Sequence, residues 1–407
     1  MNLPPSIAKL PGSAGELSML LAGWCDQNSG SGNAEGLTAM LGLLQQEFSR
    51  LPGEVASVPL KPGSAFPFPL RKPRDPLAAL RVRVRPQAPI QLLFSGHYDT
   101  VYGSDDPFQH CELLAPEKLR GPGVIDMKGG LVVMHAALEA FERTPHAARI
   151  GYEVLLTPDE ETGSFHSARL LKEAAARHHF GLVFEPARPN GDLVKSRKGT
   201  ANFTVTSHGR AAHAASPARD GRNAIAALAE FLTGAARLPE ELPGVLLNIG
   251  NIRGGAEATN VVPDFAEAQL DVRITHAADR DAVLIRLNEL AAAITNREGH
   301  RLEIAGGFNR PPMESSPAAE AIFAHWQHCA RDLGLAPFSW VHAGGGSDAN
   351  LLSAAGLSCL DGLGPCGDRL HTPEEWVYLP SLVERAQIAA LFLHRVAATE
   401  ADLPTGP

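Results

Sequence analysis

The sequence predicts an α/β protein: a doubly wound, mostly parallel sheet with helices on both faces, interrupted by an inserted ferredoxin-like α+β domain. Three observations lead there. Apolar strand-like runs alternate with amphipathic helical runs over the first half of the chain, the pattern of a parallel sheet. Near residue 195 the pattern changes to β-α-β-β-α-β, the element order of a ferredoxin-like sandwich. At 407 residues, the chain is too long for one ordinary core and long enough for two domains.

Taken in order, "LTAMLGLLQQEFSRL" (37–51) has helical periodicity. A proline-rich stretch (59–76) follows, then "LRVRVRP", which alternates like an exposed strand, and "IQLLFSGHYDT", which reads as a buried one. "GGLVVMHAALEAFER" is a helix, "IGYEVLLTP" a strand, "SARLLKEAAARH" a helix and "FGLVFEP" a strand. In the second unit "ANFTVTSHG", "GVLLNIGNIRGG", "FAEAQLDVRIT" and "HRLEIAGG" are strands, with helices at "GRNAIAALAEFLTGAARL" and "DRDAVLIRLNELAAAITNR". From "EAIFAHWQHCARDLG" onward, helices and short strands alternate again. The expected division is 1–195 with 308–407 as one domain and 196–307 as the insertion. A single continuous α/β domain is the plainer alternative.

Composition narrows the class. With 44% hydrophobic residues, 20% charged residues and a net charge of −9, the chain lacks the basic surface of a nucleic-acid binder. Cys25, Cys111, Cys329, Cys359 and Cys366 are scattered without a C-x-x-C, which argues against a disulfide framework or a cysteine zinc site. The N-terminus shows no signal peptide, and no apolar run reaches membrane-spanning length. The expectation is a cytoplasmic enzyme with no membrane partner.

Ligands of open α/β sheets lie beyond the carboxyl ends of the strands. "FSGHYDT" puts His97 and Asp99 there on one face, "GPGVIDMKGG" puts Asp126 in a glycine-rich turn, "TPDEETG" supplies Glu160 and Glu161, and "LVFEPA" supplies Glu185. Singly, each has an ordinary reading: a structural histidine, a helix N-cap, a polar loop, a solvated strand end. Together they crowd negative charge at one edge, and a divalent cation is the simplest counter-charge. Mixed imidazole and carboxylate ligands suit zinc, with manganese or cobalt as competitors. If His371 of "GDRLHTPEEWV" joins them, the set is too large for one open tetrahedral zinc and suits two metals. Asp126 is then the natural bridge.

These motifs, in the order "LLFSGHYDTVYG", "GPGVIDMKGG", "TPDEETGS", "FEPA", "GRAAHA", "ATNVVPD", "LDVR", "GGGSDAN" and "LHTPEE", resemble the dizinc aminoacylase and glutamate carboxypeptidase family. That family includes carboxypeptidase G, acetylornithine deacetylase and succinyl-diaminopimelate desuccinylase. The glycine-rich "GGGSDAN" and the "GLG" before His371 look closest to the carboxypeptidase G branch. The resemblance implies that Asp126 bridges two zinc ions, with His97 and Glu185 completing one shell and Glu161 and His371 the other. It implies that Asp99 orients His97 and that Glu160 is the general base. It further implies that His213 of "GRAAHAASP" enters a neighbouring subunit's site to stabilise an oxyanion, in a homodimer formed through the inserted domain.

Asn260 and Arg273 would bind substrate. For Arg273 the ordinary reading is a strand-surface arginine paired to Asp271 or Glu267. Gly345 and Gly346 of "HAGGGSDAN" would present backbone N–H groups to a carboxylate, the plain alternative being a glycine turn. No Lys-Ser/Thr follows these glycines, so this is not a phosphate loop. The implied activity is cleavage of an amide in a small peptide or N-acyl amino acid with a free carboxylate, peptidase and deacylase remaining open. The rivals are a metal-dependent binding protein that has lost catalysis and, more remotely, a phosphoesterase.

Overall fold

The computed structural model describes residues 3–10, 12–61, 77–215, 220–255 and 258–398. Most of the proline-rich stretch and the C-terminal tail lie outside the described residues.

An eight-stranded sheet forms the larger layer, in the order Glu54–Pro59, Ala78–Val84, Ile150–Thr157, Ile90–His97, Phe180–Val183, Cys359–Asp361, Leu193–Arg197, Trp340–Ala343. Its centre is parallel: Ile90–His97 pairs in parallel with Ile150–Thr157 on one side and Phe180–Val183 on the other. These middle strands read as continuous apolar runs because both faces are covered, and all of Ile150–Thr157 is buried. The expectation of an exposed strand at "LRVRVRP" needs correction. Ala78–Val84 is paired on both sides, antiparallel to Glu54–Pro59 and to Ile150–Thr157, and its Leu80, Val82 and Val84 are buried. Its alternating arginines face the less buried side of an interior strand.

Helices cover the sheet. Lys128–Glu142 is buried along nearly its whole length and packs against the C-terminal helix Pro380–Ala398. Gly130 lets the helix approach the end of strand Phe180–Val183: a Cβ there would lie 1.9 Å from the carbonyl oxygen of Phe184, the residue before Glu185. At the start of the same helix, buried Lys128 donates to the carbonyls of Trp24 (3.0 Å) and Gln27 (2.9 Å). It thereby satisfies acceptors at the end of helix Ala14–Asp26.

A second sheet has the order Val245–Gly254, Phe265–Ile274, Gly199–His208, Arg301–Arg310, all antiparallel. With helices Ala224–Ala235 and Asp279–Thr295 it has the β-α-β-β-α-β order read from the sequence. Its core, including Phe203, Leu228, Phe231, Leu270 and Leu287, is a hydrophobic cluster separate from that of the large sheet. A third, small antiparallel sheet joins Glu112–Ala115, Lys118–Arg120, Trp376–Tyr378 and Gly367–Asp368. No sequence pattern announced it, since its strands are only two to four residues long. It ties the segment before Asp126 to the segment around His371. Among the described residues no helix is long and apolar enough to cross a membrane.

Candidate metal centre and catalytic cleft

The parallel register brings the expected residues together. His97, the last residue of its strand, lies level with Thr157, and Ser95 lies level with Val183. Glu160 and Glu161 follow Thr157 by one short turn, and Glu185 follows Val183 by two residues. Asp126 comes from the turn before helix Lys128–Glu142, and its peptide bond to Met127 is cis.

Asp126 sits at the middle. One of its carboxylate oxygens is 3.2 Å from Nε2 of His97, and the other is 3.1 Å from Nε2 of His371. On the His97 side, Glu185 lies 3.8 Å and Glu160 4.0 Å from the same Nε2. On the His371 side, Glu161 is 3.2 Å away. Asp99 is fully buried, accepts the backbone N–H groups of Glu160 (3.1 Å) and Glu161 (3.2 Å) and the Ser31 hydroxyl (2.8 Å), and faces Nδ1 of His97 at 3.3 Å. One carboxylate therefore fixes both the ring of His97 and the turn that carries the glutamate pair. With a metal bound, a proton kept on Nδ1 would leave the Nε2 lone pair free to act as a ligand.

The electrostatics record an excess of negative charge. Burial, then the nearby Asp126 carboxylate, push Glu161 up to about 8, and burial pushes Glu185 well above the usual carboxylate range. Hydrogen bonds to Asp126 and Glu161 raise His371 to about 11. Burial raises Asp126 and pulls His97 down, but the hydrogen bonds win in both: Asp126 falls below the ordinary range and His97 rises well above its own. Protons on two imidazoles thus carry the positive charge that a metal would bring. A metal fits these donors: His97, Asp126 and Glu161 offer ligand atoms within 4.8 Å of one another, and Oε1 of Glu161 is buried with no hydrogen-bond partner.

A cleft of about 880 Å³ opens over the cluster, lined by Asp126, Glu160, Glu161, Glu185 and His371 together with residues of the second sheet such as Asn202 and Gln269. Gly345 and Gly346 line it, in the segment that leads into Ser347, the N-cap of helix Asp348–Ala354. Arg273 lines it too, with its guanidinium on Asp271 through Nε (2.6 Å) and Nη2 (2.8 Å), the ordinary pairing considered from the sequence. His213 and Asn260 do not line it. They lie side by side on the small unit, where the Ala214 N–H donates to the Asn260 carbonyl (2.8 Å), and both are exposed.

Two contributors escaped sequence reasoning. Arg310, at the end of its strand and 4% exposed, donates to the Glu160 carboxylate, to the Glu160 carbonyl (2.7 Å) and to the Ser164 hydroxyl (2.9 Å). Glu375, fully buried, accepts the N–H groups of Gly123 (3.2 Å), Ile125 (2.9 Å) and Asp126 (3.1 Å) and the Tyr102 hydroxyl (2.7 Å). It welds the turn of Asp126 to the loop of His371. The only sequence signal was the adjacency of Glu375 to the His371 motif, and its partners are distant in the chain.

Residues 93–395 match Peptidase family M20/M25/M40. The chain belongs to that family. It is 30% identical over 329 residues to succinyl-diaminopimelate desuccinylase of Alkalilimnicola ehrlichii, covering 76% of this chain and 84% of the relative. It is 25% identical over 382 residues to carboxypeptidase G2 of a Pseudomonas species, covering 91% and 86%. In fold it is similar to a tripeptidase of Staphylococcus aureus, with a TM-score of 0.77 at 21% identity over 95% of this chain and 99% of that one. A dinuclear metal-binding M20 peptidase of Bacillus subtilis superposes with a TM-score of 0.68 at 15% identity, covering 95% and 99%. This M20 protein is a metal-dependent hydrolase.

The crowding of carboxylates has a consequence for the metal-free protein. The folded state holds a proton on Glu161 up to about pH 8, whereas the unfolded chain releases it near about pH 4.3. Between those values the folded state binds more protons than the unfolded one, so this group's contribution to stability falls as pH rises. Thermal unfolding of chelator-treated protein across that range is expected to show Tm falling with pH, and Glu161→Gln to flatten the slope. An equal slope in the variant would contradict the charge assignment.

Proposed function

We propose that this M20 enzyme is a dinuclear zinc hydrolase, with cobalt or manganese as substitutes. It cleaves an amide bond of a small peptide or N-acyl amino acid that carries a free carboxylate, as a glutamate carboxypeptidase does. The observation that carries the reading is the arrangement around Asp126, whose two oxygens face two different imidazoles, each with its own glutamate partner. This fits two cations sharing one carboxylate, with His97 and Glu185 holding one and Glu161 and His371 the other. Bound metal would supply positive charge that acidifies water and polarises a carbonyl.

The chain's own groups do the rest. Asp99 holds His97 in the ligand tautomer and, through the Glu160 N–H, sets the turn of the general base. Glu160 takes the proton of the attacking water and returns it to the leaving amine, with Arg310 fixing its carboxylate meanwhile. The small unit, taken as an inserted domain over 196–307, acts as lid and dimerisation surface. Its exposed Ile225, Leu246, Ile252, Val261 and Phe265 support a homodimer. So does exposed His213, which does not reach the cleft of its own chain and would stabilise the oxyanion in a partner's. Asn260 would accompany it, and Gly345 and Gly346 would meet substrate. Five free cysteines fit a reducing compartment, the cytoplasm.

A second reading, deacylation of an N-acyl amino acid, is favoured by the desuccinylase relative. Mass spectrometry of products from dipeptides, N-acyl amino acids and glutamate-terminated peptides, each with free and amidated carboxyl ends, separates the two. Cleavage confined to free acids is expected, and turnover of phosphate esters alone would refute the amide reading. In the same assay Glu160→Gln is expected to lower kcat by about 10²–10⁴-fold. His213→Ala is expected to lose most of its kcat while keeping its metal content, and retained activity would sink the oxyanion role.

A further inference from the structure

Four arginines line the cleft, and three already have anionic partners. Arg310 holds Glu160, Arg273 clasps Asp271, and Arg197 donates through Nε to Asp361 at 2.6 Å. Arg188 lines the same cleft and makes no hydrogen bond or ion pair through its guanidinium with any described residue. The anion that acts on it electrostatically is Asp361, which is fully buried and already accepts from Arg197 and from the Ser347 hydroxyl (3.0 Å). A solvated surface arginine needs no partner, but Arg188 is only half-exposed. Burial, with Arg197 beside it, pulls its pKa below the ordinary arginine value.

Its position is fixed as well. Arg188 follows Glu185 by three residues, and the backbone around it is pinned. Ala187 N–H donates to Pro365 O (3.1 Å), Arg188 N–H to Asp192 O (2.9 Å) and Gly191 N–H to Arg188 O (2.8 Å). A guanidinium that lines the same cleft as the proposed ligands, partly desolvated and without a hydrogen-bonded counter-charge, matches the two oxygens of a carboxylate. A neutral group in its place would leave that charge unpaired, which is how a cleft rejects a near-isostere.

We propose that Arg188 is the specificity-determining residue of this cleft and binds a carboxylate of the substrate a few bonds from the scissile amide. This rests on the amide-hydrolase reading and adds Arg188 to the residues that would meet substrate in the cleft; unlike Arg273, which is paired with Asp271, it has no carboxylate to release. The carboxylate is carried either by the acyl group or by the amino acid that leaves, and matched substrates tell these apart. N-succinyl-alaninamide against its succinamoyl analogue puts the acid on the acyl side. N-acetyl-alanine against N-acetyl-alaninamide puts it on the amine side.

The quantity to read is the acid-over-amide ratio of kcat/KM for each pair, in the wild type, Arg188→Gln and Arg188→Glu. The wild type is expected to prefer the acid in at least one pair. Arg188→Gln is expected to shrink that preference by about tenfold or more, mainly through KM, and Arg188→Glu to reverse it toward an aminoethyl-bearing cationic analogue. A merely structural role would lower both members of a pair together. The same four compounds are titrated calorimetrically into the metal-loaded protein. Absence of turnover would then count against the hydrolase reading, while the binding ratio still decides the role of Arg188. No acid preference in the wild type, or one that survives in Arg188→Gln, would overturn the proposal.

Discussion

Crowded negative charge at the end of a parallel sheet is the constraint on which the rest of this molecule depends. Asp99, Asp126, Glu160, Glu161 and Glu185 converge in a cleft where most of their surface is removed from water. Burying an ion without compensation costs several kcal/mol in a real protein, roughly speaking, so each carboxylate must be accounted for. Asp99 is compensated by backbone N–H groups and a hydroxyl, and Glu160 by Arg310. Asp126 is shared by two imidazoles. Glu161 and Glu185 are compensated least, and burial raises both above the usual carboxylate range; in the proposed centre a metal would supply the missing positive charge.

The scaffold around the cluster is shaped to resist that repulsion. Glu375 accepts N–H groups from the turn of Asp126 while lying in the loop of His371, so these two segments are tied together. Asp348 takes hydroxyl hydrogen bonds from Thr157 and Ser164, and Arg310 bridges from Ser164 to Glu160. Since Arg310 ends the last strand of the second sheet, the geometry of Glu160, the proposed general base, is linked directly to that sheet. Any hinge motion between the two sheets is therefore felt at Glu160.

The sequence disclosed the parts of this design that are local. A strand ending in His-x-Asp, a glycine-rich turn before a helix and a glutamate pair after a buried strand each leave a short pattern, and the structure brings His97, Asp126, Glu161, Glu185 and His371 together. The β-α-β-β-α-β order was equally legible because its strands are ten residues long and the two central ones alternate in burial. Glu375, Arg310 and Arg188 were not legible. Their significance lies in what they touch, or fail to touch, across the fold, and no spacing rule encodes a hydrogen bond between residues 125 and 375. The small third sheet was missed because strands of two to four residues complete at most two periods of an alternating pattern. The exposed reading of Ala78–Val84 failed because arginines on one face of an interior strand look the same in sequence as those on an edge.

Whether two cations share Asp126 is decided by metal stoichiometry. Chelator-stripped protein would be titrated with zinc by calorimetry, and the bound metal counted by elemental analysis, for the wild type and for His371→Ala. The account requires two ions per chain in the wild type and one in the variant, because removing His371 dismantles the side of Asp126 that it shares with Glu161. A single ion per wild-type chain, unchanged by loss of His371, would contradict it.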